Sequence, residues 1–165
     1  MRIVGISVAL VALSGCVVAD VRTVHGAPAA IQREYASSTA FYSKHIIIPP
    51  GYATIRLPGI IPDPLPAGDW GDTERQAENV FAKVAAALKE AGASEADVVA
   101  MTVYLVAPTP GGTMDFDGMM RAYGRYYGSD AQPNRPVRST VEVAGLVRPG
   151  ILVEIEVTAA VLASR

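Results

Sequence analysis

A single cysteine, Cys16, excludes any disulfide within the 165-residue chain. Histidine is almost as scarce: His25 and His45 are the only two, and no ligand spacing relates them. A structural zinc site needs about four Cys, His or acidic ligands, and no motif here assembles such a set, so no metal is expected. No glycine-rich phosphate loop occurs either, and no cofactor is expected. Charge is thin and balanced: 14 Lys and Arg against 16 Asp and Glu give a formal net charge of −2. That balance supplies no broad basic field, so no nucleic-acid partner is expected. What the chain has in quantity is apolar residues, half of the total. This is enough for one domain with a real core and too little for two.

Met1-Arg2 is a short positive start, and Ile3 to Leu13 is apolar. The run from Ile3 to Val18 is shorter than the ~20 residues a membrane-spanning helix needs. Leu13-Ser14-Gly15-Cys16 resembles a bacterial lipobox, in which residues 1–15 are removed as a signal peptide and Cys16 is lipidated. Two rival readings stand beside it: an ordinary secretory signal cut after Ala19, and an uncleaved apolar N-terminus. Acyl chains on Cys16 would form a lipid anchor by burying methylenes in a membrane. Val17, not aspartate, follows the cysteine, which points to the periplasmic face of the outer membrane. Residues 16–38 show no sustained period and read as a tether with partial order near a domain over 39–165.

The end of the chain carries the most chemistry. Pro133 to Thr140 leads into a short run, Val141 to Leu146, and Arg148-Pro149-Gly150 then turns the chain into Ile151 to Val157. That last segment alternates as a strand does, with Ile151, Val153, Ile155 and Val157 on one face and Glu154 and Glu156 on the other. Arg138 is expected at the mouth of one strand, facing a neighbouring strand that carries the two carboxylates. A guanidinium fork suits a carboxylate, and a glutamate suits a water to be oriented or activated. The pair points to a small anionic substrate.

The preceding elements follow from their periods. Ile46 to Ile48, the turn Pro49-Pro50-Gly51 and the run Tyr52 to Leu57 are expected to form a hairpin. Ile61 to Gly71 is a loop carrying Trp70, either a lid or a cap on the core. Asp72 or Thr73 caps a long helix whose face is Ala77, Val80, Phe81, Val84, Leu88 and Ala91. Val98 to Val106 is a buried strand. Thr113 or Asp115 caps a second helix whose face is Phe116, Met119, Met120, Tyr123 and Tyr127. That spacing means core more often than cofactor contact. Strands with two interleaved helices read as an α+β layer.

Pro136-Val137-Arg138-Ser139 resembles the Pro-Ala-Arg-Ser motif of the reactive-intermediate deaminases, the Rid or YjgF-like family. Val153-Glu154-Ile155-Glu156 resembles that family's closing Val-Glu-Ile-Glu strand, and Tyr42-Ser43-Lys44-His45-Ile46 its early Tyr-Ser-Gln-Ala-Val strand. The resemblance spans Tyr42 to Val161. Two departures stand out: Pro58-Gly59-Ile60 replaces Ser-Gly-Gln, and Met120 replaces a common asparagine. The resemblance implies an α+β, chorismate-mutase-like fold, a mixed sheet with two helices on one face. It implies a homotrimer whose sheets line a central barrel, with a cleft at each subunit interface. It also implies hydrolysis of a 2-imino acid to a 2-keto acid and ammonia. In that scheme Arg138 holds the substrate carboxylate by two parallel hydrogen bonds, Glu154 positions the attacking water and Tyr42 binds substrate. Phe41 takes the place of Tyr42 if the register slips by one. The rival reading is a non-catalytic trimeric binding protein for small carboxylates or apolar ligands, to which Pro58, Ile60 and Met120 point.

Overall fold

One helix face and one sheet face supply the core. In the computed structural model, residues 29–66 and 68–163 are described. The expected signal peptide over 1–15 and Cys16 lie outside them. Among the described residues nine elements follow in order: β1 (Gln32–Tyr35), β2 (Ser43–Ile47), β3 (Tyr52–Ile60), α1 (Thr73–Glu90), a 3-10 turn (Glu95–Asp97), β4 (Val98–Leu105), α2 (Phe116–Tyr126), β5 (Val137–Glu142) and β6 (Val153–Leu162).

Both helices begin where side-chain caps allow. Asp72 Oδ1 accepts the Arg75 N–H at 2.9 Å, and Asp115 Oδ1 accepts the Gly118 N–H at 2.9 Å. Each satisfies a backbone donor that the first turn leaves free. Ala77, Val80, Phe81, Val84 and Leu88 are buried as the period predicts. Ala91 is not: it is the C-cap of α1 and is exposed, and Gly92 with φ 78° turns the chain away there. Phe81 joins the helices, with its ring 6.1 Å from Tyr123 and 5.3 Å from Tyr126. Glu74 pairs with Arg121 and Arg125, and Glu78 with Arg125, along the solvent side of the same contact. Such exposed pairs contribute little beside the aromatic packing.

The main sheet has four strands in the order β3-β6-β4-β5; β4 and β5 run parallel and the other pairs antiparallel. It is the mixed sheet expected. Met101, Val103, Leu105, Val153, Ile155, Val157 and Ala159 join the helices in one buried cluster. Thr102, Tyr104, Glu154 and Glu156 alternate with them and face the uncovered side.

Several expectations need correction. The hairpin between β2 and β3 does not form. Instead β2 pairs with β1 in a separate two-stranded ribbon, and β3 pairs with β6. Two consecutive prolines, Pro49 and Pro50, fix their φ angles and lack N–H groups, which disfavours a tight two-residue turn. The segment read as tether contributes β1. Arg33 in it donates to Val98 O at 3.1 Å and to Ala96 O at 2.9 Å, so ordered structure reaches back before residue 39. The strand near Pro136-Val137-Arg138-Ser139 starts at Val137, not at Val141. Finally, β5 and β6 are not neighbours: β4 lies between them. Arg138 therefore does not sit on a strand adjacent to Glu154.

Candidate functional site

The loop entering β5 is held by a glutamine. Gln132 Nε2 donates to Tyr126 O and Asn134 O, both at 3.1 Å, and its Oε1 accepts the Asn134 N–H at 2.8 Å. Asn134 Nδ2 reaches Ala96 O at 3.0 Å. Ser43, buried on β2, donates its hydroxyl to Arg135 O at 2.5 Å and its N–H to Pro136 O at 2.9 Å. These bonds fix the start of β5 against the β1–β2 ribbon, which places Tyr42 and Arg138 beside each other.

Arg138 pairs in register with Met101, so its side chain leaves the sheet on the helix side. Its guanidinium carbon lies 4.4 Å from the Tyr123 ring centroid and 5.8 Å from that of Phe116. Nη1 is buried and has no hydrogen-bond partner. Burial pushes the guanidinium below its ordinary arginine value, against smaller opposing contributions from Tyr123 and Tyr42. Facing aromatic π-clouds compensate a cation only in part; an anion with two oxygens would complete it. Arg138 also contributes to the lining of a cavity of about 350 Å³, with Tyr42, Ser43, Thr102 and Ser139 among others. Tyr42 is 47% exposed and reaches this cavity from the ribbon. The structure thus brings together two of the three expected site residues.

Glu154 is the third, and a single chain does not bring it to Arg138. It is opposite Tyr104 in the β4–β6 register and faces the uncovered side of the sheet, away from Tyr123 and the helices. Its carboxylate lies against the α-carbon of Gly59, where any side chain would collide with it. Glu156, on the same face, accepts the Tyr104 hydroxyl at 3.2 Å, and that bond pushes the tyrosine's pKa up. Arg56, Pro58, Thr158 and Glu156 line a cavity of about 530 Å³ on this side.

The two departures resolve differently. Ile60 packs against the core and is not a site residue, while Pro58 lies on the uncovered face. Met120 lines an apolar cavity with Phe41 and Phe116. Trp70 sits away from Arg138: its ring covers Gly150 and lines a cavity with the proline-rich loop and α1. It caps the fold and does not close over Arg138. Tyr123 is the residue the sequence pattern missed, because a helical period marks it as core and cannot reveal that its face meets a cation. Ser43 and Ser139 were legible, being adjacent to Tyr42 and Arg138 in the two motifs. Among the described residues, no group of three or more His, Cys, Asp and Glu could hold a metal, and no helix is long and apolar enough to cross a membrane.

Residues 37–161 match the family described as Endoribonuclease L-PSP. A RutC family protein of Pyrococcus abyssi is 38% identical over 89 residues, which cover 54% of this chain and 62% of that protein. The aligned part therefore spans less than two thirds of that relative. A solved member of the YjgF/YER057c/UK114 family from Mycobacterium tuberculosis superimposes with a TM-score of 0.52 at 27% identity, covering 80% of this chain and all of that one. TdcF of E. coli, solved with bound serine, gives a TM-score of 0.55 at 28% identity, covering 67% of this chain and 81% of that one. An arginine motif on β5, a glutamate strand closing the mixed sheet, and two helices over one face all fall within the matched region, and the chain belongs to the Endoribonuclease L-PSP family, that of the YjgF- and RutC-like (Rid) proteins.

Proposed function

We propose that the protein hydrolyses 2-imino acids to 2-keto acids and ammonia. The observation that carries this reading is Arg138 Nη1, buried without a partner on a residue that lines a cavity together with Tyr42. A desolvated guanidinium with an unused donor favours a carboxylate strongly, since hydrogen bonds to charged groups contribute about 1.5–3 kcal/mol each. The serine bound to TdcF is a small molecule with such a carboxylate, which supports the same class of ligand here. The family description names an endoribonuclease, but a net charge of −2 and a cavity of about 350 Å³ suit a small carboxylate better than a polyanion.

The chemistry needs no group beyond these residues and water. With the carboxylate on Arg138, water adds to the imine carbon; a C–O bond forms and the C=N π pair moves to nitrogen, which takes a proton. The carbinolamine then loses ammonia as the C–N bond breaks and the carbonyl forms. Glu154 is the residue proposed to orient the water. Because it faces the other side of its own sheet, the reading requires a second copy to present Glu154 to the Arg138 cavity, and a homotrimer is the assembly proposed. Positioning and electrostatic complementarity would supply most of the rate.

A second reading has its own support. The separation of Arg138 and Glu154 within one chain, together with Met120 in the cavity lined by Phe41 and Phe116, suits a carboxylate-binding protein without turnover. The two are distinguished by following loss of 2-iminopropionate, generated in situ by an amino-acid oxidase, with the full chain and its Arg138→Ala variant. Acceleration over buffer that the variant loses supports hydrolysis. Carboxylate binding without acceleration leaves the binding reading. The mass of the assembly in solution, by light scattering, checks the trimer.

A further inference from the structure

We infer that the site selects carboxylates carrying a bulky apolar side chain, aromatic or branched, and that Phe41, Phe116 and Met120 form the pocket for it. This rests on the reading of Arg138 as the carboxylate clamp. A second cavity, of about 430 Å³, is lined by Phe41, Phe116, Asp117, Met120 and Arg121. Two neighbours link this cavity to Arg138 and Tyr42. Phe116 lines the second, and its ring lies 5.8 Å from the Arg138 guanidinium carbon. Phe41 lines the second, and its chain neighbour Tyr42 lines the first.

The apolar wall is held in place. Tyr123 presents its ring to Arg138 at 4.4 Å and donates its hydroxyl to Phe41 O at 2.7 Å, so one buried side chain positions both the cation and the phenylalanine. Met120 packs against the core from the other side. Phe41 is nevertheless 59% exposed and Phe116 37% exposed. Two phenylalanines left facing water, one of them 5.8 Å from an unpartnered arginine, suit a ligand that is anionic at one end and apolar at the other. Covering them removes apolar surface from water, which drives such binding. Met120, where the resembled family often has asparagine, belongs to the same wall: a flexible thioether accommodates aromatic or aliphatic groups.

The test uses the full chain with imines formed in situ from phenylalanine, leucine and alanine, and separately measures equilibrium binding of phenylpyruvate and pyruvate. The expected result is a kcat/KM at least about tenfold higher for the phenylalanine- and leucine-derived imines, the scale of discrimination an apolar pocket provides. Phenylpyruvate should likewise bind more tightly than pyruvate. Phe41→Ala and Met120→Asn should each shrink both ratios. Phe41 is largely exposed, so its truncation does not put folding at issue. Hydrolysis of all three imines at equal efficiency overturns the pocket and leaves the imine reading standing. No hydrolysis, but a phenylpyruvate preference that both variants reduce, overturns the imine reading and supports the pocket. Equal binding of the two keto acids, binding of neither, or ratios that neither variant moves would overturn it.

Discussion

The guanidinium carbon of Arg138 lies 4.4 Å from the ring centroid of Tyr123, and the Tyr123 hydroxyl donates to Phe41 O at 2.7 Å. One core tyrosine thus holds a cation against its face and a surface segment at its tip. The arrangement leaves Arg138 Nη1 buried without a partner. Such a group costs stability in the empty protein and returns it when an anion binds.

That cost separates two substitutions of the same residue. Arg138→Met removes the unpaired charge while keeping much of its volume, and is expected to raise the denaturation midpoint while abolishing carboxylate binding. Arg138→Lys keeps the charge but loses the planar fork, and is expected to weaken carboxylate binding by about 10- to 100-fold. Thermal unfolding and calorimetric titration with a keto acid, run on both variants, check the pair of outcomes.

Gly59 is expected to matter through Glu154. A methyl group at position 59 would collide with the Glu154 carboxylate and displace it. Gly59→Ala should lower kcat by about tenfold or more, on the premise that small displacements of a positioning group are costly. Carboxylate affinity, which depends on Arg138 on the other face, should hold. Equal losses in kcat and in keto-acid affinity would contradict a specific effect on Glu154.

Gln76 is almost fully buried and ties the segment before α1 to the segment before β6. Its Nε2 donates to Gly71 O at 3.0 Å and Gly150 O at 2.9 Å, and its Oε1 accepts the Leu152 N–H at 2.7 Å. Gln76→Leu would strand three backbone groups, and is expected to cost about 3 kcal/mol from the ordinary penalty for unsatisfied buried polar groups. Urea denaturation monitored by Trp70 fluorescence reads this directly, since Trp70 packs on Gly150.

Burial pushes the Tyr123 hydroxyl up to about 12 from 10.0 and raises Tyr127 further in the same direction. Both bind their protons more tightly folded than unfolded, so stability is full below pH 10 and falls as pH rises from about 10 through 12 and beyond. The Tyr127 hydroxyl is also buried without a partner. Tyr127→Phe should therefore be neutral or mildly stabilising at pH 7, and should soften the alkaline loss. A loss of several kcal/mol at pH 7 in urea denaturation would contradict this.

Lipidation has a direct check. Cells fed radiolabelled palmitate are expected to label the wild-type chain and not Cys16→Ser. Equal labelling of both would remove Cys16 as the attachment point.

The local elements were legible in the sequence. Asp72 or Thr73, and Thr113 or Asp115, marked the helix starts, of which the structure uses Asp72 and Asp115, and the 3.6-residue spacing of Val80, Phe81, Val84 and Leu88 announced the buried face. Strict alternation from Ile151 to Val157 announced β6, which runs Val153–Leu162, and the residues flanking Arg138 and Tyr42 marked both as candidates. Each of these signals is carried by residues close together in the chain, where backbone geometry alone sets which side chains share a face. Strand neighbours are a different matter. The β4–α2–β5 crossover lays β5 parallel to β4, and β6 then pairs along the other edge of β4. Nothing local to β5 or β6 specifies that β4 separates them. Register decided the rest: because strand side chains alternate, pairing Arg138 with Met101 sent it to the helix side, and pairing Glu154 with Tyr104 sent it to the open side. The sequence by itself singled out Arg138, Tyr42 and Glu154 as candidates; the tertiary structure decided which face each occupies, and hence that within a single chain Arg138 and Glu154 lie on opposite sides of the sheet, because register and strand order are set by contacts distant in sequence.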